Sequence, residues 1–304
     1  MLRVGTGSRK WLFLVVLPSL VVLLWHSGWV CRAMGLASGP GGDKPSAAPG
    51  IGLSSYRVTI EAQSIDGLQR NVSGLTYNAA TGTLFAAINR PSAIAELSIE
   101  GQLLRHIPLP ELGDPEGITH IAGELFLVSD ESDNELHWLR IRPGVQKAEI
   151  VASARLPSDF EHRDNLGFEG VSWDEASGEL LVVNEKRPRR VLMVHGLQPA
   201  GVSPSAIEVI EWSPRSWLGL FGRDLASVTT HGPSGNLLIL SEESAIMAEY
   251  SRSGELLGVM PLWCGLHGLK RTVPQAEGIA LGPDGAIYIV SEPNLFYVFR
   301  NRTN

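Results

Sequence analysis

Glutamate followed by glycine opens three similar apolar runs in this chain. The pairs begin at Glu116, Glu169 and Glu277. Four more acidic residues follow these three runs and a fourth, similar apolar run. They are Asp130, Glu185, Glu242 and Glu292. Carboxylates in a repeated register can meet at one place in a fold, where their oxygen atoms suit a hard cation. These seven residues are therefore candidate metal ligands.

The negative charge of such a carboxylate cluster must be neutralised. Several carboxylates in a narrow space repel one another unless some are protonated or a cation neutralises them. An all-oxygen set without histidine or cysteine favours calcium over zinc or copper, with magnesium as the second choice. In the alternative interpretation, the Glu-Gly pairs are a structural consensus that accepts backbone hydrogen bonds, and the later acids are solvated turn residues.

Other chemistry has little support in the sequence. The chain has no G-x-S-x-G, no H-E-x-x-H and no glycine-rich phosphate loop, and His267 is a lone loop histidine. The formal net charge of −7, without clustered Lys and Arg, argues against nucleic-acid binding. We expect no structural disulfide between the two cysteines, Cys31 and Cys264.

The elements that must position the acids recur five times. Each unit has a first strand, a turn and a second apolar strand that ends in polar residues. Taking Ser73, Glu116, Glu169, Ser227 and Glu277 as equivalent, the distances to Asn89, Asp130, Glu185, Glu242 and Glu292 are 16, 14, 16, 15 and 15 residues. The first strands are SGLTYN from Ser73, EGITHI from Glu116, EGVSWD from Glu169, ASVTTH from Ala226 and EGIALG from Glu277.

Four strands per unit predict an all-β, five-bladed β-propeller. The last unit lacks a fourth strand, whereas an extra strand, Tyr56 to Gln63, precedes the first unit. We expect this N-terminal strand to complete the last blade and close the ring. The first strand of each blade would then line the central channel, where the glutamates converge. A β-sandwich is the alternative, because short strands and turns also suit that class.

The first fifty residues predict one membrane helix. We assign residues 1–10 to a cytoplasmic N-terminus, 11–31 to a transmembrane signal anchor, 32–53 to a flexible linker and 54–304 to the propeller. Basic residues precede an apolar run, which places the propeller on the periplasmic side of a bacterial plasma membrane. A cleaved signal peptide and a lipoprotein attached through Cys31 are the alternatives.

An insertion between two blades carries a possible partner surface. The segment from Ser213 to Arg223 contains Trp217, Leu220 and Phe221. These side chains would form an apolar patch for a partner if they are exposed, or cap a blade if they are buried.

The segments NVSGLTYN, DPEGITHI and PQAEGIALGPDGAIYIVSEPNLFYVF resemble the SdiA-regulated (YjiK-like) family of bacterial proteins, over roughly Tyr56 to Arg300. This resemblance implies a five-bladed propeller distantly similar to NHL-repeat propellers, an N-terminal membrane segment, a bound calcium ion and a role in protein–protein interaction. It implies no reaction. Ser73 and Ser227 stand where this comparison leads us to expect glutamate.

These observations leave three functions open. The first is a membrane-tethered, calcium-binding propeller, expected to be a monomer, that presents a surface to another envelope protein. The second is a calcium-dependent lactonase- or esterase-like hydrolase that uses the channel metal. The third is a structural propeller without metal.

Overall fold

The computed structural model describes residues 49–156, 167–186, 188–197, 207–215 and 219–302. Within these ranges the chain forms twenty β-strands and one short 3-10 helix, Leu53–Ser55. The strands make five sheets of four strands each, and every strand pair is antiparallel. The all-β, five-bladed propeller that the repeat predicts is confirmed.

Each blade is a sheet whose strands follow one another from the axis to the rim. The strand β1 (Tyr56–Ser64) comes before the first blade. The blades are β2 (Val72–Asn78), β3 (Thr83–Ile88), β4 (Ala93–Leu97) and β5 (Leu103–Pro108); β6 (Pro115–Ala122), β7 (Leu125–Asp130), β8 (Glu135–Ile141) and β9 (Ala148–Arg155); β10 (Phe168–Asp174), β11 (Glu179–Asn184), β12 (Arg190–His195) and β13 (Glu208–Trp212); β14 (Ser227–His231), β15 (Asn236–Ser241), β16 (Ile246–Tyr250) and β17 (Leu256–Pro261); β18 (Ala276–Leu281), β19 (Ile287–Ser291) and β20 (Leu295–Asn301), with β1 outermost.

Glycine fixes the turns between the first two strands of the blades. Gly82 and Gly178 have φ of 67° and 69°, a left-handed conformation that glycine adopts without a Cβ clash. Their N–H groups donate to the carbonyls of Asn78 and Asp174, each four residues earlier, at 2.9 and 2.8 Å. At these turns the chain reverses direction, so that the second strand of the blade runs back toward the other end of the propeller.

The N-terminal strand closes the ring. β1 pairs with β20, so that Val58 lies opposite Phe299 and the last blade gains its fourth strand. The Tyr56 hydroxyl donates to the Gly285 carbonyl at 2.8 Å. Each innermost strand also contacts the innermost strands of both neighbouring blades. The closure predicted for Tyr56 to Gln63 is therefore confirmed.

The hydrophobic cores lie between the blades. Five clusters of buried residues each combine side chains from two adjacent blades. The cluster between the first two blades, for example, packs Phe85 against Phe126 with ring centroids 4.5 Å apart. Burial of apolar surface stabilises such contacts by about 25 cal/mol per Å². Adjacent blades therefore hold the inner strands in a fixed ring.

Five residues before the predicted start of the propeller, residues 49–53, also contact it. Leu53 is buried against the last two blades. The Ile51 N–H donates to both carboxylate oxygens of Glu249, at 2.9 and 3.1 Å. Residues 49–53, which we assigned to the linker, thus pack against the propeller.

The predicted membrane anchor at 11–31 lies outside the described residues. No described helix has the length and apolar character that a bilayer crossing requires.

Candidate metal centre

A β-bulge positions the first ring of acids. In β10, Phe168 and Val171 pair with Asn184 and Val182, so that one strand advances three residues while the other advances two. Equivalent irregularities occur in β2, β6 and β18. A bulge adds one residue and redirects a side chain. In three of these strands the displaced segment contains the Glu-Gly pair.

Glycine after each glutamate is required by close packing at the axis. A Cβ on Gly117 would lie 2.4 Å from the Glu169 carbonyl oxygen, and one on Gly278 would lie 2.5 Å from that of Ser73. In the fourth blade, Ser227 occupies the glycine position, since its Cα faces Gly170. Ala226 therefore stands at the glutamate position, and our assignment of Ser227 to it was wrong by one residue.

The inner strands surround a cavity of about 160 Å³ at one end of the channel. We call this end the acidic mouth. It brings together six of the seven predicted ligands, and among the described lining residues only Ala226 lacks a side-chain oxygen. The described residues that line the cavity are Ser73, Asn89, Glu116, Glu169, Glu185, Asp224, Ala226, Glu242, Glu277 and Glu292.

Asp130, the seventh predicted ligand, does not line this cavity. Its carboxylate is buried and accepts hydrogen bonds from the N–H groups of Gly113 at 2.8 Å and Asp114 at 3.0 Å. Burial alone would raise the pKa of Asp130, but hydrogen bonds from Ser132 and from these backbone groups lower it overall. Asp130 accepts structural hydrogen bonds and lies apart from the six predicted ligands that line the cavity.

Glu131 occupies the position that the repeat assigned to Asp130. Its N–H donates to the Asp114 carbonyl at 2.9 Å, as the Asn89 N–H does to Asn71 at 3.2 Å in the first blade. The unusually short spacing of 14 residues in the second unit was the available signal, because Glu131 restores 15. Carboxylate oxygens of Asp114, Glu116 and Glu131 lie within 4.8 Å of one another.

Asp224 is a lining carboxylate that the sequence analysis missed. It precedes Ala226 by two residues, as Asp114 precedes Glu116, and this shared spacing could have indicated it. Its carboxylate accepts hydrogen bonds from the N–H groups of Glu242 and Glu243 at 3.1 Å. Asp224 thus lies beside the end of the second strand of its blade.

Ser73 and Asn89 complete the first blade's contribution to the site. The Ser73 hydroxyl donates to Glu116 Oε2 at 2.5 Å, and Asn89 Nδ2 donates to Oε1 at 2.8 Å. Asn89 Oδ1 and Asp114 Oδ1 are buried and accept no hydrogen bond from any described residue. Two oxygen atoms near the glutamates are therefore left without a donor, as expected of ligands to a cation.

Electrostatic repulsion at the acidic mouth is strong. Burial raises the pKa of Glu116 to about 7 and that of Glu277 to about 8, and charges on neighbouring acids also raise the pKa of Glu277. The pKa of Glu169 is raised well above its ordinary value, by burial first and then by Glu116. No Lys or Arg of the described ranges lines the cavity. Lys186 lies beside it, paired with Glu185 and, at 2.9 Å, with Glu243.

The donor set fits a calcium ion. Carboxylates, an amide oxygen and a hydroxyl are the ligands that hard cations bind, and the number available allows the variable coordination of calcium. A divalent cation would neutralise adjacent carboxylates and lower their pKa values. His267 does not belong to this set: it is buried elsewhere, with Nδ1 2.9 Å from the Tyr56 carbonyl oxygen.

The predicted partner surface is only partly described. Phe221 is buried in the core between the third and fourth blades, where its N–H donates to the Tyr250 hydroxyl at 2.7 Å. Leu220 is half-buried against the same core, and Trp217 lies outside the described residues. Phe221 stabilises the blade interface, which agrees with the buried alternative for this residue and removes it from an exposed partner surface.

Solved structures share this fold at low sequence identity. A glutaminyl cyclase from Myxococcus xanthus matches with a TM-score of 0.53 and 14% identity, over 81% of this chain and 95% of that one. The calcium-binding protein regucalcin from Agrobacterium tumefaciens matches at 0.49 and 13%, over 79% and 93%. A chain of a nidogen/laminin complex matches at 0.48 and 13%, over 73% of each chain. At these identities the likeness concerns the fold alone.

A family model matches the chain at residues 49–300, which include all five blades and the acidic mouth. The protein belongs to the SdiA-regulated family.

Proposed function

We propose that this protein is a calcium-binding propeller that acts as an interaction module of the bacterial envelope. The observation that carries the proposal is the acidic mouth, where seven carboxylates share a cavity of about 160 Å³ and no Lys or Arg side chain among the described residues lines it. The partner would be an envelope protein that contacts the propeller when the metal is bound. This role needs a stable surface and no reacting group.

The size and lining of the acidic mouth favour an ion over an organic ligand. Organic ligand sites are commonly about 300–1,000 Å³ and mostly apolar. This cavity is smaller, and nearly every lining side chain carries oxygen. A bound divalent cation would replace the protons that Glu116 and Glu277 otherwise retain near neutral pH.

The location of the protein is a second part of the proposal. We propose that residues 11–31 anchor the chain in the plasma membrane and that the propeller lies on the periplasmic side. The test is a pair of reporter fusions at the C-terminus, one active only in the periplasm and one only in the cytoplasm. Activity of the cytoplasmic reporter alone would contradict the proposal.

Thermal unfolding of the metal-stripped full-length protein tests the metal site. Added calcium should raise the unfolding temperature, because a ligand at about 100 times its Kd stabilises the native state by about 2.7 kcal/mol. Magnesium should have a smaller effect. A calcium titration without any shift, in protein verified as metal-free and folded, would overturn the proposal.

Matched variants locate the effect. Glu277→Gln removes one lining carboxyl group and should weaken the calcium-dependent shift, whereas Glu111→Gln removes an exposed carboxylate outside the cavity and should not. Partner capture is then measured with calcium, with chelator and with Glu277→Gln. Equal capture under all three conditions would show that partner binding does not depend on the metal.

A second candidate function has one specific observation in its favour. A cleft of about 410 Å³ adjoins the acidic mouth through Glu242 and extends to Trp263 and Cys264. An ester or lactone in this cleft would lie beside Glu242 of the acidic mouth, where a bound calcium ion would polarise its carbonyl group. The test is hydrolysis of a lactone and aryl-ester panel. Calcium-dependent turnover that Glu277→Gln abolishes would favour the hydrolase.

A further inference from the structure

The opposite end of the channel has a different chemistry. A cavity of about 460 Å³ lies where the inner strands end, and we call it the hydroxyl mouth. Equivalent positions in four consecutive blades place hydroxyl side chains there: Thr76, Thr119, Ser172 and Thr229. The next position along the first three of these strands carries aromatic rings: Tyr77, His120 and Trp173.

Two of the hydroxyl groups have unused donor capacity, whereas the hydroxyls of Ser172 and Thr230 share one hydrogen bond at 3.2 Å. Thr76 Oγ1 accepts a hydrogen bond from the His120 N–H at 3.0 Å, and Thr119 Oγ1 accepts one from the Trp173 N–H at 2.8 Å. These contacts link adjacent blades and use the oxygen as an acceptor, so each hydroxyl hydrogen remains to be donated. The hydroxyl groups of Thr76 and Thr119 therefore accept hydrogen bonds that link adjacent blades, and each can donate one to a ligand in the cavity.

The hydroxyl mouth carries little charge. Of its two carboxylates, Asp174 is paired with Arg252 at 2.9 Å, and Glu175 lies at the exposed edge. Burial lowers the pKa of His120, whose Nε2 lies 3.0 Å from the Gly123 carbonyl oxygen, so this ring is neutral at pH 7. None of the described Lys and Arg side chains lines this cavity. An anionic ligand would find no counter-charge here, and a cation would find no ring of carboxylates.

We propose that the hydroxyl mouth binds a neutral saccharide of one or two sugar units. Hydroxyl groups of the protein both donate to and accept from sugar hydroxyls, and the aromatic rings offer carbon surface for the C–H faces of a sugar ring. A cavity of this size lies within the usual range for small organic ligands, about 300–1,000 Å³. This site is separate from the acidic mouth and does not depend on its metal.

Calorimetry on the full-length protein tests the site with glucose, maltose and diacetylchitobiose, and with glucuronate as the anionic comparison. A neutral sugar should bind saturably at millimolar or lower concentration and better than glucuronate. Trp173→Ala and Thr230→Val, which removes one lining hydroxyl with little change in volume, should each weaken binding about tenfold. Trp263→Ala, at the cleft beside the acidic mouth, is the matched control and should leave binding unchanged.

Four results would overturn the proposal. The first is the absence of binding by any of the neutral sugars to the folded wild-type protein. The second is binding that both hydroxyl-mouth variants retain in full while their unfolding temperatures match the wild type. The third is binding that chelator abolishes, which would assign the sugar to the acidic mouth. The fourth is a preference for an uncharged peptide over every sugar, which would identify a protein-docking surface instead.

Discussion

Individual glutamates at the acidic mouth differ from ordinary surface acids because burial opposes their ionisation. Glu116 retains its proton up to a pKa of about 7 and Glu277 up to about 8, against 4.5 for an unperturbed glutamate. The repeat predicted that carboxylates would meet and that protonation of some of them would relieve the repulsion, but it did not identify which glutamates have raised pKa values. These shifts arise from the enclosure of the side chains by neighbouring inner strands, which is a property of the assembled ring.

The stability of the metal-free protein should therefore depend on pH. Between about pH 4.5 and the folded pKa values the native state holds protons that the unfolded chain has released, so the free energy of unfolding falls as pH rises. Urea unfolding in chelator at about pH 5 and about pH 8 measures this slope.

Glu277→Gln should reduce the slope, and saturating calcium should reduce it in the wild type. A metal-free protein whose stability rises over this interval, with the same m-value, would contradict the assigned protonation of the cluster.

At the scale of the strands, the sequence predicted the number and order of the elements but not the register within them. The repeat of a short apolar strand after each Glu-Gly pair was visible because strand, turn and strand alternate regularly. The bulges were not visible, since a bulge adds one residue to one strand of a pair without a compositional signature. Two one-residue errors, Asp130 for Glu131 and Ser227 for Ala226, concern positions whose register is fixed only by strand pairing and by the contacts between blades.

Close approach of the inner strands makes a specific substitution costly. Gly117→Ala should lower the free energy of unfolding by about 1–3 kcal/mol, because the new Cβ would lie 2.4 Å from the Glu169 carbonyl oxygen. Gly232→Ala is the control, since a Cβ there meets nothing within 4 Å. Denaturant titration of both variants checks the difference. Equal stabilities would show that the inner ring has more space than its backbone indicates.

In the whole molecule, the same five inner strands place carboxylates at one end of the channel and mainly hydroxyl and aromatic side chains at the other. Each inner strand begins at the acidic mouth and ends at the hydroxyl mouth. The N-terminal segment joins near the hydroxyl-mouth end, where Glu249 holds Ile51 close to the end of β16. The described chain therefore enters the propeller near the hydroxyl mouth.

Ring closure by β1 should control the stability of the whole propeller. Val58→Pro removes the N–H that donates to the His267 carbonyl at 2.9 Å and introduces a ring into a paired strand, whereas Val58→Ala retains the N–H. We expect the proline variant to lose about 2 kcal/mol or more relative to the alanine variant. Because β1 joins the two ends of the domain, the loss should lower the single unfolding transition of all five blades, as followed by tryptophan fluorescence and circular dichroism. A proline variant as stable as the alanine variant would show that the inner-strand contacts close the ring without β1.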